Sequence, residues 1–214
     1  MSVSCTLPAN DRFDVQLTYD KFTNGKVDGT ISYKLYGFPY TDQLTLDPAK
    51  TQGVGLRCGM KVAQAGAIRF SAVAAYLPET KGDLAYTYRE DYGGQWDTSR
   101  RTWTFKHSFL AVGGQATWRL PADLGFGLEY RDEKLKYAYR SMNESTSLGR
   151  VWLRAHLGYT WTYPGPNWSM GLAFAMPLSK PSSPDLSDPA TGDKDLLRAL
   201  APSQSLGVYV GGRF

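Results

Sequence analysis

The sequence predicts an all-β chain, and three observations make it a transmembrane up-and-down antiparallel β-barrel. The first is strict alternation from Arg150 to Leu178 around a central Pro164-Gly165-Pro166-Asn167. Val151, Leu153, Ala155, Leu157, Tyr159, Trp161 and Tyr163 share one face, which Trp168, Met170, Leu172, Phe174 and Met176 continue. Period-two alternation marks strands, and Pro-Gly-Pro-Asn supplies turn chemistry. The second is the opposite face, where Gly158, Ser169, Gly171, Ala173 and Ala175 stand with Arg154 and His156. Small residues suit the crowded inside of a narrow barrel, where charges can pair; a water-facing sheet would carry Lys, Glu and Thr. The third is an aromatic girdle: Tyr159, Trp161, Tyr163 and Trp168 gather at the turn end, and Trp118 belongs with them. An outward apolar band, an aromatic girdle and a polar lumen describe a barrel in a lipid bilayer.

Composition agrees. The 214 residues suit one domain spanning 1–214. A net charge of +4 and a pI near 9.0 are too mild and diffuse for a nucleic-acid partner. No apolar run reaches the roughly 18 residues of a membrane helix. The mean hydropathy of -0.38 is what an alternating wall averages to. The start lacks a basic and an apolar leader region, so Met1 reads as a start added to a mature segment. Cys5 and Cys58 could form one bridge at most, and Cys58 on an apolar face reads as a free thiol.

Taken in order, residues 1–10 read as a flexible lead-in. Phe13, Val15, Leu17 and Tyr19 alternate on a first strand, and Asn24-Gly25 is a strong hairpin signal. Ile31, Tyr33 and Leu35 form a second strand, and Phe38–Thr41 a turn. Gln43–Asp47 is the weakest strand, ended by Pro48. Val54, Leu56, Cys58, Met60 and Val62 make a clear apolar face, and Gln64-Ala65-Gly66 turns into Ile68, Phe70, Ala72, Ala74 and Tyr76. That strand extends past Pro78 towards Tyr88, above the membrane. Glu90–Arg101 reads as a loop. Leu110, Val112, Ala116 and Trp118 follow, then a turn at Pro121–Asp123, then Leu124, Phe126, Leu128 and Tyr130. Because Leu135, Tyr137 and Tyr139 change parity, a bulge or the membrane exit is expected near Asp132–Lys134. Ser141–Ser147 reads as a short loop. Residues 179–205 are proline-rich and charged and read as a long external loop, with a brief helix near 195–200. The last strand carries Leu206, Val208 and Val210.

The count is ten strands, with eight as the alternative if the first 50 residues are misread. Short turns lie on one side and long loops on the other.

Two sets of polar residues are candidate sites. Arg57, Lys61, Arg69, Arg119, Glu129, Arg131, Arg154, His156 and Arg213 fall on the lumen face as a charge network. Lys61, Arg69, Arg119 and Arg213 crowd the short-turn mouth, with Asp14 the best counter-charge, which favours small anions if the barrel conducts. Arg100, Arg101, Lys134, Lys136, Arg140 and Arg150, with Lys106, lie towards the long-loop ends, where lipopolysaccharide phosphates would be met. Two histidines supply no metal ligand set, and no cofactor is expected.

The final strand ends in Phe214 with apolar residues at alternate positions before it. It resembles the assembly signal of small bacterial outer-membrane β-barrel proteins, although Gly212 stands where that family usually has a larger apolar residue. The resemblance implies location in the bacterial outer membrane of a Gram-negative cell, a monomer among membrane lipids, and an adhesin-like, structural or porin-like role with loops facing an extracellular ligand. It also admits lipid-modifying enzymes. Neither His107 nor His156 has an aspartate two residues before it, as omptin proteases would. His107-Ser108 places the pair on opposite strand faces, unlike the His-x-Ser of lipid A deacylases. No catalytic constellation is therefore expected. The remaining alternative is a soluble lipocalin-like ligand-binding barrel, which would set Gly171, Ala173, Gly207 and Gly211 on a water-facing sheet, where such residues form strands poorly.

Overall fold

A computed structural model describes residues 12–24, 26–35, 38–47, 50–91, 94–139, 142–161, 167–179 and 197–213. Ten antiparallel strands run in chain order: β1 Phe13–Asn24, β2 Val27–Leu35, β3 Phe38–Leu46, β4 Lys50–Ala65 and β5 Ile68–Asp91. There follow β6 Trp96–Arg119, β7 Asp123–Tyr139, β8 Met142–Trp161, β9 Asn167–Pro177 and β10 Pro202–Arg213. The lead-in 1–10, Tyr163 and most of the long 179–205 segment lie outside the described residues.

All ten strands join one sheet, but only eight close the ring, in the order β5-β4-β1-β10-β9-β8-β7-β6 and back to β5. β1 pairs with β10 on one edge and β4 on the other, so neither edge is free for β2. Asn24-Gly25 therefore does not fold β1 back onto β2, as the dipeptide suggested. β2 pairs with β3 as a hairpin, and Gln43–Leu46 of β3 attach it to Tyr86–Arg89 of β5, above the ring. The weak strand is real, while Phe38–Thr41 lies within β3 and is no turn on the short side. An eight-stranded ring has an interior just wide enough for side chains to fill.

β5 and β6 are 24 residues each and stay paired from Ile68↔Trp118 to Asp91↔Trp96. Residues 90–101, expected as a loop, are mostly strand: pairing runs on to Asp91↔Trp96, and the Arg89 guanidinium lies over the Trp96 ring at 4.3 Å. Residues 142–147 likewise belong to β8, paired with β7. One register shift, between Leu77 and Thr80 at Pro78-Glu79, re-aims β5 as it leaves the ring. No shift occurs near Asp132–Lys134: β7 keeps its register with both neighbours from Asp123 to Tyr137. At the opposite end, Gly66 with φ 57° makes the tight β4–β5 turn.

The outward face is the apolar one. Leu17, Leu56, Val112, Leu128, Leu157, Leu172 and Val208 are each about half exposed around the whole ring. Tyr159, Trp161 and Trp168 point outward at the short-turn end, with the Tyr159 and Trp161 rings 5.4 Å apart edge-on. Trp118 is half-buried against Phe126 at the same end. Strands with all backbone groups paired and an outward apolar belt can cross a bilayer with no open edge. No helix among the described residues is long and apolar enough to do so.

Candidate functional site: a filled lumen and a charged outer collar

Inward positions of the ring carry the polar residues. Three layers follow from the short-turn end upward.

In the lowest layer Arg69 Nη2 lies 3.4 Å from Asp14 Oδ2 and its Nε donates to Ser71 Oγ at 3.2 Å. Arg213 Nη2 donates to Asp123 Oδ2 at 3.2 Å, and the Thr160 hydroxyl donates to the same oxygen. Lys61 and Arg119 are half-buried here. Hairpin registers counted along the sequence put Lys61 opposite Arg69 and Arg119 opposite Gly125; Lys61 instead faces Ser71, because the register shifts after it, and Arg119 faces Asp123. The expected crowd of like charges is thus partly neutralised, by Asp14 as anticipated and by Asp123, which was not.

In the middle layer Glu129, 1% exposed, holds Arg57 by a direct ion pair and accepts from Arg131 at 3.2 and 3.3 Å. Arg57 also donates to Gln115 Oε1 at 2.9 Å, and Arg154 lies 4.0 Å from Asp20. His156 sits opposite Gly125 and Ala173, edge-on to Tyr209 at 5.9 Å. A Cβ at position 125 would overlap its imidazole, which is why that position is glycine. Counting along the β8–β9 hairpin puts Ala175 opposite His156, but Ala175 faces Arg154.

The third layer was not foreseen. Glu133 accepts both nitrogens of Arg150, at 2.7 and 3.1 Å, and the Trp152 indole N–H at 2.6 Å. His107 Nε2 lies 3.4 Å from the same carboxylate, and both residues are fully buried. Arg131 is sandwiched between the rings of Trp152 and Phe109, at 4.2 and 4.5 Å. Arg150 also donates to the Pro202 carbonyl at 2.9 Å. Arg150 is therefore a lumen residue and not a rim contact for lipopolysaccharide. Its parity with Arg154 and His156 was the available signal. With Glu129, Arg131, Glu133 and Trp152 all at 2% exposure or less, side chains fill this cross-section.

Above it the interior turns apolar. Leu44, Leu46, Leu84, Phe105, Leu135, Tyr137, Leu197 and Leu200 form one buried cluster. The segment 197–201 is helical at its start and packs into the barrel top, so this end of the long loop is a lid and not free external chain. Asn24 anchors it through its amide, which donates to the Leu200 carbonyl. A ladder of rings continues upward along β5 and β6: Tyr137–Trp103 at 4.9 Å, Trp103–Tyr86 at 4.5 Å and Tyr86–Tyr88 at 6.0 Å. Tyr88 donates to Asp42 of the β2–β3 hairpin at 2.5 Å; burial, then that carboxylate, pushes the phenol well up.

Outside the barrel, above the apolar belt, β5–β7 carry Lys81, Lys106, Lys134 and Lys136. Glu79 accepts from Lys106 at 2.8 Å and Lys136 at 3.2 Å, and these hydrogen bonds hold its carboxyl below the usual range. Arg100 stands higher, 3.3 Å from Asp47, and Arg101 is exposed near the top of the hairpin. Arg140 lies outside the described residues. Cys58 is a free, exposed thiol on the outward face.

The architecture and the inward polar network define a membrane-spanning antiparallel β-barrel. The sequence matches no protein-family model and no curated protein. Among solved structures, the attachment invasion locus protein Ail of Yersinia pestis is similar at 14% identity and TM-score 0.41, covering 94% of this chain and 97% of Ail. The translocator domain of the autotransporter NalP from Neisseria meningitidis is similar at 11% identity and TM-score 0.37, over 95% of this chain and 88% of that one. The fold assignment rests on the strand pairing and the outward belt described above.

Proposed function

We propose that the protein is an outer-membrane barrel of a Gram-negative bacterium that acts as a closed anchor for an adhesin-like surface sheet. The observation that carries this reading is the division of labour between strands. Eight strands close a ring packed with ion pairs and capped by an apolar lid, while β2, β3 and the upper halves of β5 and β6 carry the same sheet above it. A filled ring serves conduction poorly, and a stiff extension braced by an aromatic ladder serves recognition of an external ligand well. Glu133, shut off from solvent, ties β7 to β8 through Arg150 and Trp152, with His107 of β6 3.4 Å from its carboxylate.

The test compares cells displaying the native chain with cells in which Val27–Leu46 is replaced by a short turn. Both should reach the outer membrane and migrate differently before and after boiling, while adherence to an epithelial monolayer should fall only in the shortened form. Unchanged adherence, or ion conductance of the refolded native protein in a planar bilayer, would overturn the reading.

A further inference from the structure

The lysines on the outward face of β5–β7 are arranged in a way that strand pairing alone does not favour. Lys81 stands directly opposite Lys106, and Lys106 directly opposite Lys136, so three ammonium groups form one row across three strands. Like charges in directly opposed positions destabilise a sheet. Glu79, placed by the Pro78-Glu79 bulge, bridges two of the three. Lys81 has no ion-pair partner among the described residues, nor has Lys134, one row below and exposed between Ser108 and Ser147. The outward carboxylates nearest in register, Asp83 and Asp132, make no ion pair with either.

Two further facts locate the row. Tyr76, Leu110 and Tyr130, which are 54%, 58% and 52% exposed, mark the upper edge of the apolar belt; the row lies beyond it, four residues past Leu110 on β6 and six past Tyr130 on β7, with Lys134 between. Lysine stems can lie along that edge with their ammonium groups at head-group height. At the same height β8 presents Ser147 and Gly149, β9 ends at Pro177-Leu178 and β10 presents Gln204, while β4 and β1 carry exposed Lys50 and Lys21, so the cations occupy one arc of the ring. Among the described residues, only on β5–β7 do the lysines stand directly opposite one another, and that gathers three ammonium groups within reach of one bound head group, whereas Lys50 and Lys21 face Thr23 and Gln52.

We propose that Lys81, Lys106 and Lys136, with Lys134 beside them, bind the phosphate of a phosphorylated lipid in the outward-facing leaflet, its acyl chains lying against Leu110 and Val112. The site rests on the barrel spanning a membrane. Phosphate oxygens supply the acceptors that the row lacks, and Glu79 competes with them for Lys106 and Lys136.

The full chain is refolded into phosphatidylcholine vesicles containing bisphosphorylated lipid A, or dephosphorylated lipid A, or with inorganic phosphate in the buffer, and retained lipid is measured by native mass spectrometry. Lipid A should be retained by the native chain and the dephosphorylated lipid should not. Each of Lys81→Gln, Lys106→Gln and Lys136→Gln should weaken retention about fivefold, and Glu79→Gln should strengthen it. Equal retention of the two lipids, no change in the Gln variants, or full competition by inorganic phosphate would overturn the site while leaving the barrel intact. Failure to insert into any vesicle would overturn the barrel reading and the site with it. Because Glu79→Gln predicts a gain, a lysine variant that fails to fold does not shield the proposal.

Discussion

A single strand, β7, shows two solvents. Below Tyr130 its outward residues are Leu124, Phe126 and Leu128 and its inward ones Asp123, Gly125, Gly127 and Glu129. Above Tyr130 the outward residues are Asp132, Lys134 and Lys136, and the inward ones pass from Arg131 and Glu133 to Leu135 and Tyr137, all four buried. The backbone keeps its register throughout, so what changes is the medium on the outer face. Lipid demands apolar residues outside and leaves the narrow interior to paired charges. Water permits charges outside and restores an ordinary apolar core within. The inversion of pattern is a physical mark of the height at which the strand leaves the membrane.

The sharpest ways to break this comparison lie in the lower interior. Glu129→Ala would leave Arg57, Arg131 and Arg154 facing one another without their central carboxylate, and should cost about 3–5 kcal/mol. Urea unfolding in lipid vesicles, followed by tryptophan fluorescence, would check it. A cost below that of an outward leucine-to-alanine change would mean the network is not the packed centre described. In the upper interior Leu135→Ala should cost about 2–5 kcal/mol as a cavity in a closed core, whereas Leu128→Ala on the lipid face of the same strand should cost far less.

The outer face gives a matched pair. Leu128→Lys puts a charge into hydrocarbon and should cost about 2–4 kcal/mol, while Lys134→Leu, three turns of the pleat higher, should stay within about 0.5 kcal/mol. Equal costs would place the membrane boundary wrongly. The smallest expected effect is at Glu79. Its carboxyl is held low by Lys106 and then Lys136, so its contribution is fully present above the ordinary value of 4.5 and is lost as pH falls through the lowered value. Because the group is 37% exposed, Glu79→Gln should remove no more than about 1 kcal/mol, and less in high salt.

How much of this could be read from the chain follows from the same physics. Within the belt the alternation is unambiguous, and the faces of β4, β8, β9 and β10 were legible residue by residue. The inward placement of Arg57, Arg69, Arg131, Arg154 and His156 followed from parity alone. Above the belt the code inverts, so Leu135 and Tyr137 looked like a slip of register when they were the start of a second core. That misreading hid Glu133, the acceptor for Arg150 and Trp152. The ring size was obscured for a different reason. Asn24-Gly25 is good local hairpin chemistry, but the edges of β1 are claimed by β10 and by β4, a partner 27 or more residues away in sequence at every paired position. Such long-range pairing leaves no local mark.

The pairing of β1 with β4 is the central claim, because it sets an eight-stranded filled ring apart from a wider ten-stranded one. Lys21 and Gln52 are directly opposite and both exposed above the belt. With Cys5 and Cys58 replaced by serine, Lys21→Cys with Gln52→Cys should form a disulfide on mild oxidation in the refolded protein, since opposed Cα atoms lie about 4.5–5.5 Å apart. Lys21→Cys with Asp28→Cys, the partner that a hairpin at Asn24-Gly25 would impose, should not. Cross-linking of the second pair without the first would contradict the account.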